Sequence, residues 1–540
     1  MLSIKIILIL PFVFSVVNTQ MTNITISLDR PITWADKQLY GDFLQIKRSS
    51  TIQVNFENIN SNVSFIVFQV HSHEYNVTVC NNSCVMDSME KGNNIGFYSS
   101  VKPNIDTFYI KNENFLDINL YIAVHGYKDQ DPIPGGCNME LSVPIAPFTF
   151  TNFNKVYINI EVSPAKSYQD PNCLSASAVT VKFYRMYLPE RNFDADVYFE
   201  GIKDMMSLEK IREKAEEIPS SVWTMRRMVS AYHGTGSIYV AVAYDKNDQY
   251  YSIYAPTYTY ACIPLKDNCE LFDDLLSAFM CTIMLFVGVF ICYFGHRFFK
   301  TEMFLFGLLS GVIITHILIS LIVELDTSEL LGASLLSGVF FGGIWYMFWW
   351  YYGIPVISVM LPALNLGFLV AAIFYYKLPG GIRLLMDDFN FWTLFIFMMC
   401  LVALMLVCVA FASNMLCCAV LGAYTVVYAM DYSFGSTLKY IVINTIRRAT
   451  VPEFKFAVLT PPFEWKDALV TSIWVTLSIT GFLVQQFHNR GRPPFPPPPR
   501  SVRPRMPEPL GYSTLINNRQ RYNSTQGNRP LYTERTPLLS

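Results

Sequence analysis

The chain has 540 residues, of which 52% are hydrophobic and 15% aromatic, while only 15% are charged against roughly 25% in an ordinary soluble domain. A mean hydropathy of +0.29 excludes a wholly soluble or an intrinsically disordered chain, and a formal net charge of −2 excludes a general polyanion binder, nucleic acid included. The average conceals two chemically different halves and a tail, which is the pattern of a membrane protein.

At the amino end Lys5 precedes an apolar run from Ile6 to Val17, followed by Asn18 and Thr19. The run is shorter than the ~20 residues that cross a bilayer, so residues 1–19 are expected to be a secretory signal peptide and the next segment luminal or extracellular. Sequons at Asn23, Asn62, Asn76 and Asn81 crowd before residue 90 and point to a glycosylated ectodomain. Cys80, Cys84, Cys137, Cys173, Cys262 and Cys269 precede the first apolar span and are disulfide candidates in an oxidising compartment. Their pairing is left open, although Cys80 with Cys84 and Cys262 with Cys269 lie close enough for local loops.

Residues 20–270 are written in period two. Thr51 to Phe56, Asn62 to Val70 and Val156 to Val162 are β-branched and aromatic runs broken by Asn, Asp, Gly and Pro, which predicts an antiparallel β-sandwich. Leu208 to Ile218 is the exception and predicts a short helix. The run Leu120 to Asp131 resembles Ile238 to Asp248, suggesting an internal duplication: β-rich domains at 20–145 and 146–270, dividing near Pro144 to Pro147. His71 and His73 share a predicted strand face, but no third ligand completes a metal spacing. No nucleophile elbow, phosphate loop or carboxylate pair stands out, so neither enzyme activity nor a cofactor is expected.

Residues 271–487 are a predicted seven-helix bundle in the lipid bilayer. Leu275 to Phe294, Met303 to Val323, Leu330 to Trp350, Pro355 to Tyr375 and Ala468 to Phe487 each suit one crossing. Phe391 to Met430 is 40 residues without a charge and must turn, at Ser413-Asn414 by its polarity. An odd count puts the carboxyl end in the cytosol. The basic link Gly295 to Glu302 and the acidic link Glu324 to Glu329 agree with the positive-inside rule. Residues 431–467 dissent, because Lys439, Arg447, Arg448, Lys455 and Lys466 would be luminal; Leu438, Ile441, Val442 and Ile446 there make the stripe of an interfacial helix. Asp-Arg-Tyr and Asn-Pro-x-x-Tyr signatures of G-protein-coupled receptors are missing from the third and seventh spans. For a transporter or channel the interior offers His316 and Asn365, with Asp431 at a span edge. Gly307 with Gly311, and Gly338 with Gly342, supply small faces for helix packing.

The tail, 488–540, is rich in Pro, Arg and Asn, with nine arginines against Glu508 and Glu534. Pro493 to Pro499 favours polyproline II; Phe495 followed by four prolines fits an EVH1 ligand, and Arg490, Pro493 and Pro496 fit an SH3 ligand. Glu534 with Leu538 and Leu539 fits the acidic dileucine signal read by clathrin adaptors, and Tyr512 with Leu515 fits the tyrosine-based one. Endocytosis and delivery to endosomes or lysosomes are the expectation.

Several longer stretches carry a resemblance. Asp131-Pro-Ile-Pro-Gly-Gly-Cys-Asn-Met-Glu140, Pro256 to Cys262, Ile291-Cys-Tyr-Phe-Gly-His-Arg-Phe-Phe-Lys-Thr-Glu302, Arg490-Gly-Arg-Pro493 and Glu534 to Leu539 together resemble the transmembrane 7 superfamily member 3 family. The resemblance runs through ectodomain, bundle and tail in order. It implies a glycosylated seven-span protein of the plasma membrane or connected compartments, associated with cell survival, stress responses and secretion. It carries over no catalytic residue. The leading expectation is therefore a non-enzymatic membrane protein with a binding or structural ectodomain; a transporter or channel is the alternative, and an orphan receptor the third.

Overall fold

A computed structural model of the chain describes residues 21–82, 84, 88–174, 178–220, 222–266, 269, 275–323 and 325–496. The expected signal peptide and the tail signals at Tyr512, Leu515, Glu534, Leu538 and Leu539 lie outside the described residues.

Nine strands form the first β-rich region: β1 Met21–Ser27, β2 Gln38–Ile46, β3 Thr51–Glu57, β4 Phe65–Ser72, β5 Val77–Asn81, β6 Met89–Gly92, β7 Asn94–Ser100, β8 Phe108–Lys111 and β9 Ile118–Tyr127. They make two facing sheets, β1-β3-β8-β5-β6 and β2-β9-β4-β7. In β3, Ile52 and Val54 point inward and Gln53 and Asn55 outward, the alternation of a strand with one wet face. Strand β4 reads Phe-Ile-Val-Phe-Gln-Val-His-Ser and is buried throughout. Its Ile66, Phe68 and Val70 enter the sandwich core, while Phe65 and Val67 pack on Tyr127 on the other face. One pairing departs from an all-antiparallel sandwich: β1 runs parallel to β3. The intervening β2 crosses to the opposite sheet, so the chain returns beside β1 in the same direction.

The second β-rich region comprises β10 Thr149–Phe153, β11 Tyr157–Val162, β12 Val179–Tyr187, β13 Glu216–Ile218, β14 Arg226–Ser230, β15 Ser237–Asp245, β16 Tyr251–Ile253 and β17 Thr257–Thr259. Its sheets are β10-β11-β14 and β13-β12-β15-β16, with β17 also on β15. The two repeat-like runs are β9 and β15, both long buried strands. Helix α1, Ala195–Asp204, lies between β12 and β13 and was not anticipated; Asp194 caps it by accepting from the Asp196 amide at 3.1 Å. The predicted helix at Leu208–Ile218 is shorter than expected. Helix α2 covers Leu208–Lys214, and Glu216–Ile218 is strand β13, which pairs antiparallel with β12, buries Ile218 and sets Glu216 2.9 Å from buried Arg185. The two regions are fused. Tyr121 and Ala123 of β9 share a core with Tyr198 and Phe199 of α1, and Lys37 reaches Asp131 at 2.6 Å and the Tyr251 carbonyl at 2.7 Å.

Helices α3 Leu275–Phe294, α4 Phe299–Ile322, α5 Thr327–Tyr352, α6 Pro355–Tyr376, a short α7 Arg383–Met386, α8 Asp388–Val407, α9 Ala410–Phe434, α10 Tyr440–Thr450 and α11 Trp465–His488 follow. The apolar stretch Leu275–Ile322 is 48 residues, more than twice the ~20 of one crossing, and breaks at the 3-10 turn Gly295–Phe298. With that break, seven of the described helices suit a crossing, and their alternating directions put the ectodomain and His488 at opposite ends.

Two expectations change here. The hairpin between α8 and α9 turns at Cys408-Val409, not at Ser413-Asn414, which lie inside α9. Polarity marked those two residues as breakers, but within a bundle a polar side chain is retained when another helix bonds it, as α4 bonds Asn414. The link Gly295 to Glu302 is likewise not an open polar loop, because α4 has begun by Phe299.

Candidate functional site at the two ends of the bundle

At the ectodomain end, α10 is wedged between bundle and sandwich. Its inward side buries Tyr440, Ile441, Asn444, Thr445, Arg447 and Arg448, so the expected interfacial helix instead lies between protein surfaces. Arg447 donates to the Ala231 carbonyl at 3.0 Å and the Lys155 carbonyl at 2.8 Å, tying α10 to the ectodomain. Arg448 pairs with Asp388 at the start of α8 at 2.6 Å, and Lys439 with Asp431 at 3.5 Å. The segment after α10 extends the ectodomain sheet: Val458 donates to Met228 at 2.9 Å and accepts from Ser230 at 3.0 Å, on the free edge of β14. The Arg185 guanidinium and the Tyr187 hydroxyl donate to the Thr460 carbonyl, each at 3.0 Å. Below them the Tyr376 hydroxyl donates to Thr437 Oγ1 at 2.9 Å, and Thr437 donates to Asp467. Burial, with Arg447, Lys439 and Lys155 nearby, holds His233 down at about 3, while burial pushes Glu190 up to about 7. Four of the five dissenting cations, Lys439, Arg447, Arg448 and Lys455, are engaged here; Lys455 reaches Asp388 at 3.4 Å.

At the far end sits a carboxyl group that sequence reading placed in a link. Glu302, in the first turn of α4, is 0% exposed. Asn414 of α9, also 0% exposed, donates its amide nitrogen to Glu302 Oε2 at 3.0 Å and to His296 Nδ1 at 3.1 Å. An amide nitrogen carries two protons, so both are used and His296 Nδ1 must accept. The imidazole proton is then on Nε2, which donates to the Pro494 carbonyl at 2.9 Å. Gln485 of α11 closes the group, donating to the Cys292 carbonyl at 2.7 Å and accepting from the His296 amide at 3.4 Å. Glu302 Oε1, Asn414 Oδ1 and Ser413 Oγ are buried without a hydrogen-bond partner among the described residues. An ionisable group inside a bundle is costly and marks a functional candidate.

The residues singled out earlier fall as follows. Asn23, Asn62 and Asn76 are exposed and Asn81 is half-buried. The ectodomain cysteines pair as Cys80–Cys84, Cys137–Cys173 and Cys262–Cys269. The two glycine pairs face each other: a Cβ on Gly307 would lie 2.9 Å from the Gly342 Cα, and one on Gly311 3.0 Å from the Gly338 Cα, so both serve the α4–α5 contact. Asn365 accepts from Ser310 at 2.8 Å, a bond between α6 and α4, while His316 is half-buried higher on α4. His71 bonds Asn94 at 2.7 Å and His73 packs on Tyr198, both toward the second β-rich region. Glu302, His296 and Asn414 were missed together. Carrying the helical period back from Phe306 through Met303 to Phe299 would have put Glu302 on the buried side of α4.

Two stacked β-sandwich regions docked on seven apolar helices define a multi-pass membrane protein with a folded ectodomain. Residues 38–127 match the "TM7SF3-like, N-terminal immunoglobulin-like domain", 132–265 the "TM7SF3-like, second immunoglobulin-like domain", and 281–486 the "TM7S3/TM198-like domain". The chain is 28% identical to transmembrane 7 superfamily member 3 of Mus musculus over 475 residues, covering 85% of this chain and 84% of that protein. It is 27% identical to that of Homo sapiens over 475 residues, covering 85% and 83%, and 29% identical to that of Rattus norvegicus over 460 residues, covering 82% and 81%. The chain belongs to the TM7SF3-like family.

Proposed function

We propose that this chain is a non-enzymatic membrane glycoprotein whose immunoglobulin-like ectodomain is a binding or structural module. In this reading the bundle is its anchor and the tail a platform for clathrin-adaptor-type sorting proteins and for SH3 or EVH1 domains. It works at the plasma membrane or in the endosome–lysosome system, with a part in cell survival, stress response and secretion, as the family resemblance implies. The amino end is luminal and the carboxyl end cytosolic. The carrying observation is the seam at Met228, Ser230 and Val458, where a loop between two span helices continues an ectodomain sheet. Such pairing makes ectodomain and bundle one body, suited to passing a binding event to the far side. The exposed sequons support the orientation, and so does the engagement of the dissenting cations within the protein, which removes them from the count of free positive charge.

Tags at both ends of the mature chain, read with impermeant reagents on unbroken cells, test this. Exposure of the amino-terminal tag alone is expected, with a glycosidase-sensitive mass; exposure of both ends rejects it. Leu538→Ala with Leu539→Ala is expected to raise surface abundance, and unchanged trafficking removes the sorting role.

The buried Glu302 favours one other reading, a transporter or channel. Reconstituted flux of a proton or small solute that is lost in Glu302→Gln would establish it.

A further inference from the structure

The proline run of the tail does not start free of the bundle. Phe495 packs edge-on against three rings at the far end: Phe299 at 5.4 Å, His296 at 5.8 Å and Phe411 at 6.4 Å between centroids. Behind them Trp349, almost wholly buried, braces Phe299 at 4.9 Å. The residue before it is held by its backbone, the Pro494 carbonyl accepting from His296 Nε2. A carbonyl can only accept, so this contact exists only while that nitrogen carries a proton.

The buried amide of Asn414 supplies that condition. Asn414 gives its two amide protons to Glu302 Oε2 and His296 Nδ1. Glu302 Oε2, as acceptor, holds the Asn414 amide in place beside the imidazole. Asn414 in turn leaves Nδ1 as an acceptor and Nε2 as the donor. Asn414, bonded to a side chain in the first turn of α4, thereby sets the polarity of the bond that holds the tail.

We propose that His296, Phe299 and Phe411 form a binding site for the chain's own Pro494-Phe495-Pro496 segment, with Glu302 and Asn414 as positioning residues, and that a polyproline-reading domain must displace Phe495 from it. The second half rests on the tail reading given above. One aromatic ring cannot occupy the bundle and a partner's groove at once, so the two are in competition.

The test uses the full chain in membranes with p-benzoyl-phenylalanine in place of Phe495, irradiated and mapped by peptide mass. Cross-links to residues 296–303 or 411–415 are expected; cross-links confined to lipid or to other segments overturn the seat. In Asn414→Leu and His296→Phe, which keep apolar bulk, the yield should fall about fivefold, the worth of one hydrogen bond to a polar partner. Glu302→Gln keeps an acceptor for Asn414 and should retain the yield, whereas Glu302→Leu should not. Equal yield in all four variants overturns the positioning role, and glycosylation of each variant checks that it has folded and been exported. For the competition, an isolated EVH1 domain is titrated against a free peptide of residues 490–505 and against the full chain. Binding about tenfold weaker to the full chain, with the gap closed by His296→Phe, is expected. Equal affinity overturns the competition. A peptide that does not bind while the cross-link persists removes the EVH1 ligand from the tail reading and leaves the seat standing.

Discussion

The two ends of the bundle handle buried polarity in opposite ways. At the ectodomain end Arg448 meets Asp388, Lys439 meets Asp431, and Arg447 spends its donors on ectodomain carbonyls. At the far end the buried carboxyl of Glu302 has no cation paired with it among the described residues; Asn414 donates to it and the Cys418 thiol lies against it. Paired opposite charges fasten two parts of a protein together, whereas a buried acid without a cation leaves capacity for a proton, an ion or a moving segment. The first end is built as a joint and the second as a site.

Acid should act most strongly of all, and on the ectodomain that the first end holds. Burial depresses His71 and His125 to about 4 and His233 to about 3. The unfolded chain takes up the same protons near 6.5, so the stabilisation is complete above that pH and drains as pH falls toward 4. The loss is on the order of 3 kcal/mol for each fully buried imidazole. Hydrogen exchange at pH 7 and pH 5 should show β4 and β9 losing protection at the lower pH; equal protection would mean that these rings are not buried neutral.

Substitution at the joint comes next. Arg447→Met strands the Ala231 and Lys155 carbonyls and should cost about 3 kcal/mol, since bonds from a charged donor are worth ~1.5–3 kcal/mol each. The loss should appear as faster exchange along β14 and residues 456–460, with the far end unchanged. Spread over the whole bundle, it would erase the distinction between the ends.

Gly342→Ala probes the span packing between them. The added Cβ would lie 2.7 Å from the Phe304 carbonyl oxygen, forcing α4 from α5 at a cost of ~1–3 kcal/mol. A lower thermal midpoint with normal export is expected. Smallest should be Glu302→Gln, which keeps an acceptor for Asn414 and changes thermal stability by less than ~1 kcal/mol. A loss as large as that of Arg447→Met would make Glu302 a structural member like the arginines.

Composition and periodicity carried the class of this protein. An apolar run near 20 residues can do little else than cross lipid as a helix, and alternating β-branched runs can do little else than half-bury a sheet, because both are local responses of the backbone to solvent. Seven crossings, a β-rich ectodomain and the two local cysteine loops could be read this way. Partners distant in sequence could not. Ser413-Asn414 looks like a turn until Glu302 of another helix is placed beside it, and Arg447 looks like a breach of charge topology until ectodomain carbonyls meet it. Whether a polar side chain breaks a helix, faces water or bonds a neighbour is decided by what the fold brings within about 3 Å, and only the tertiary structure supplies that neighbour.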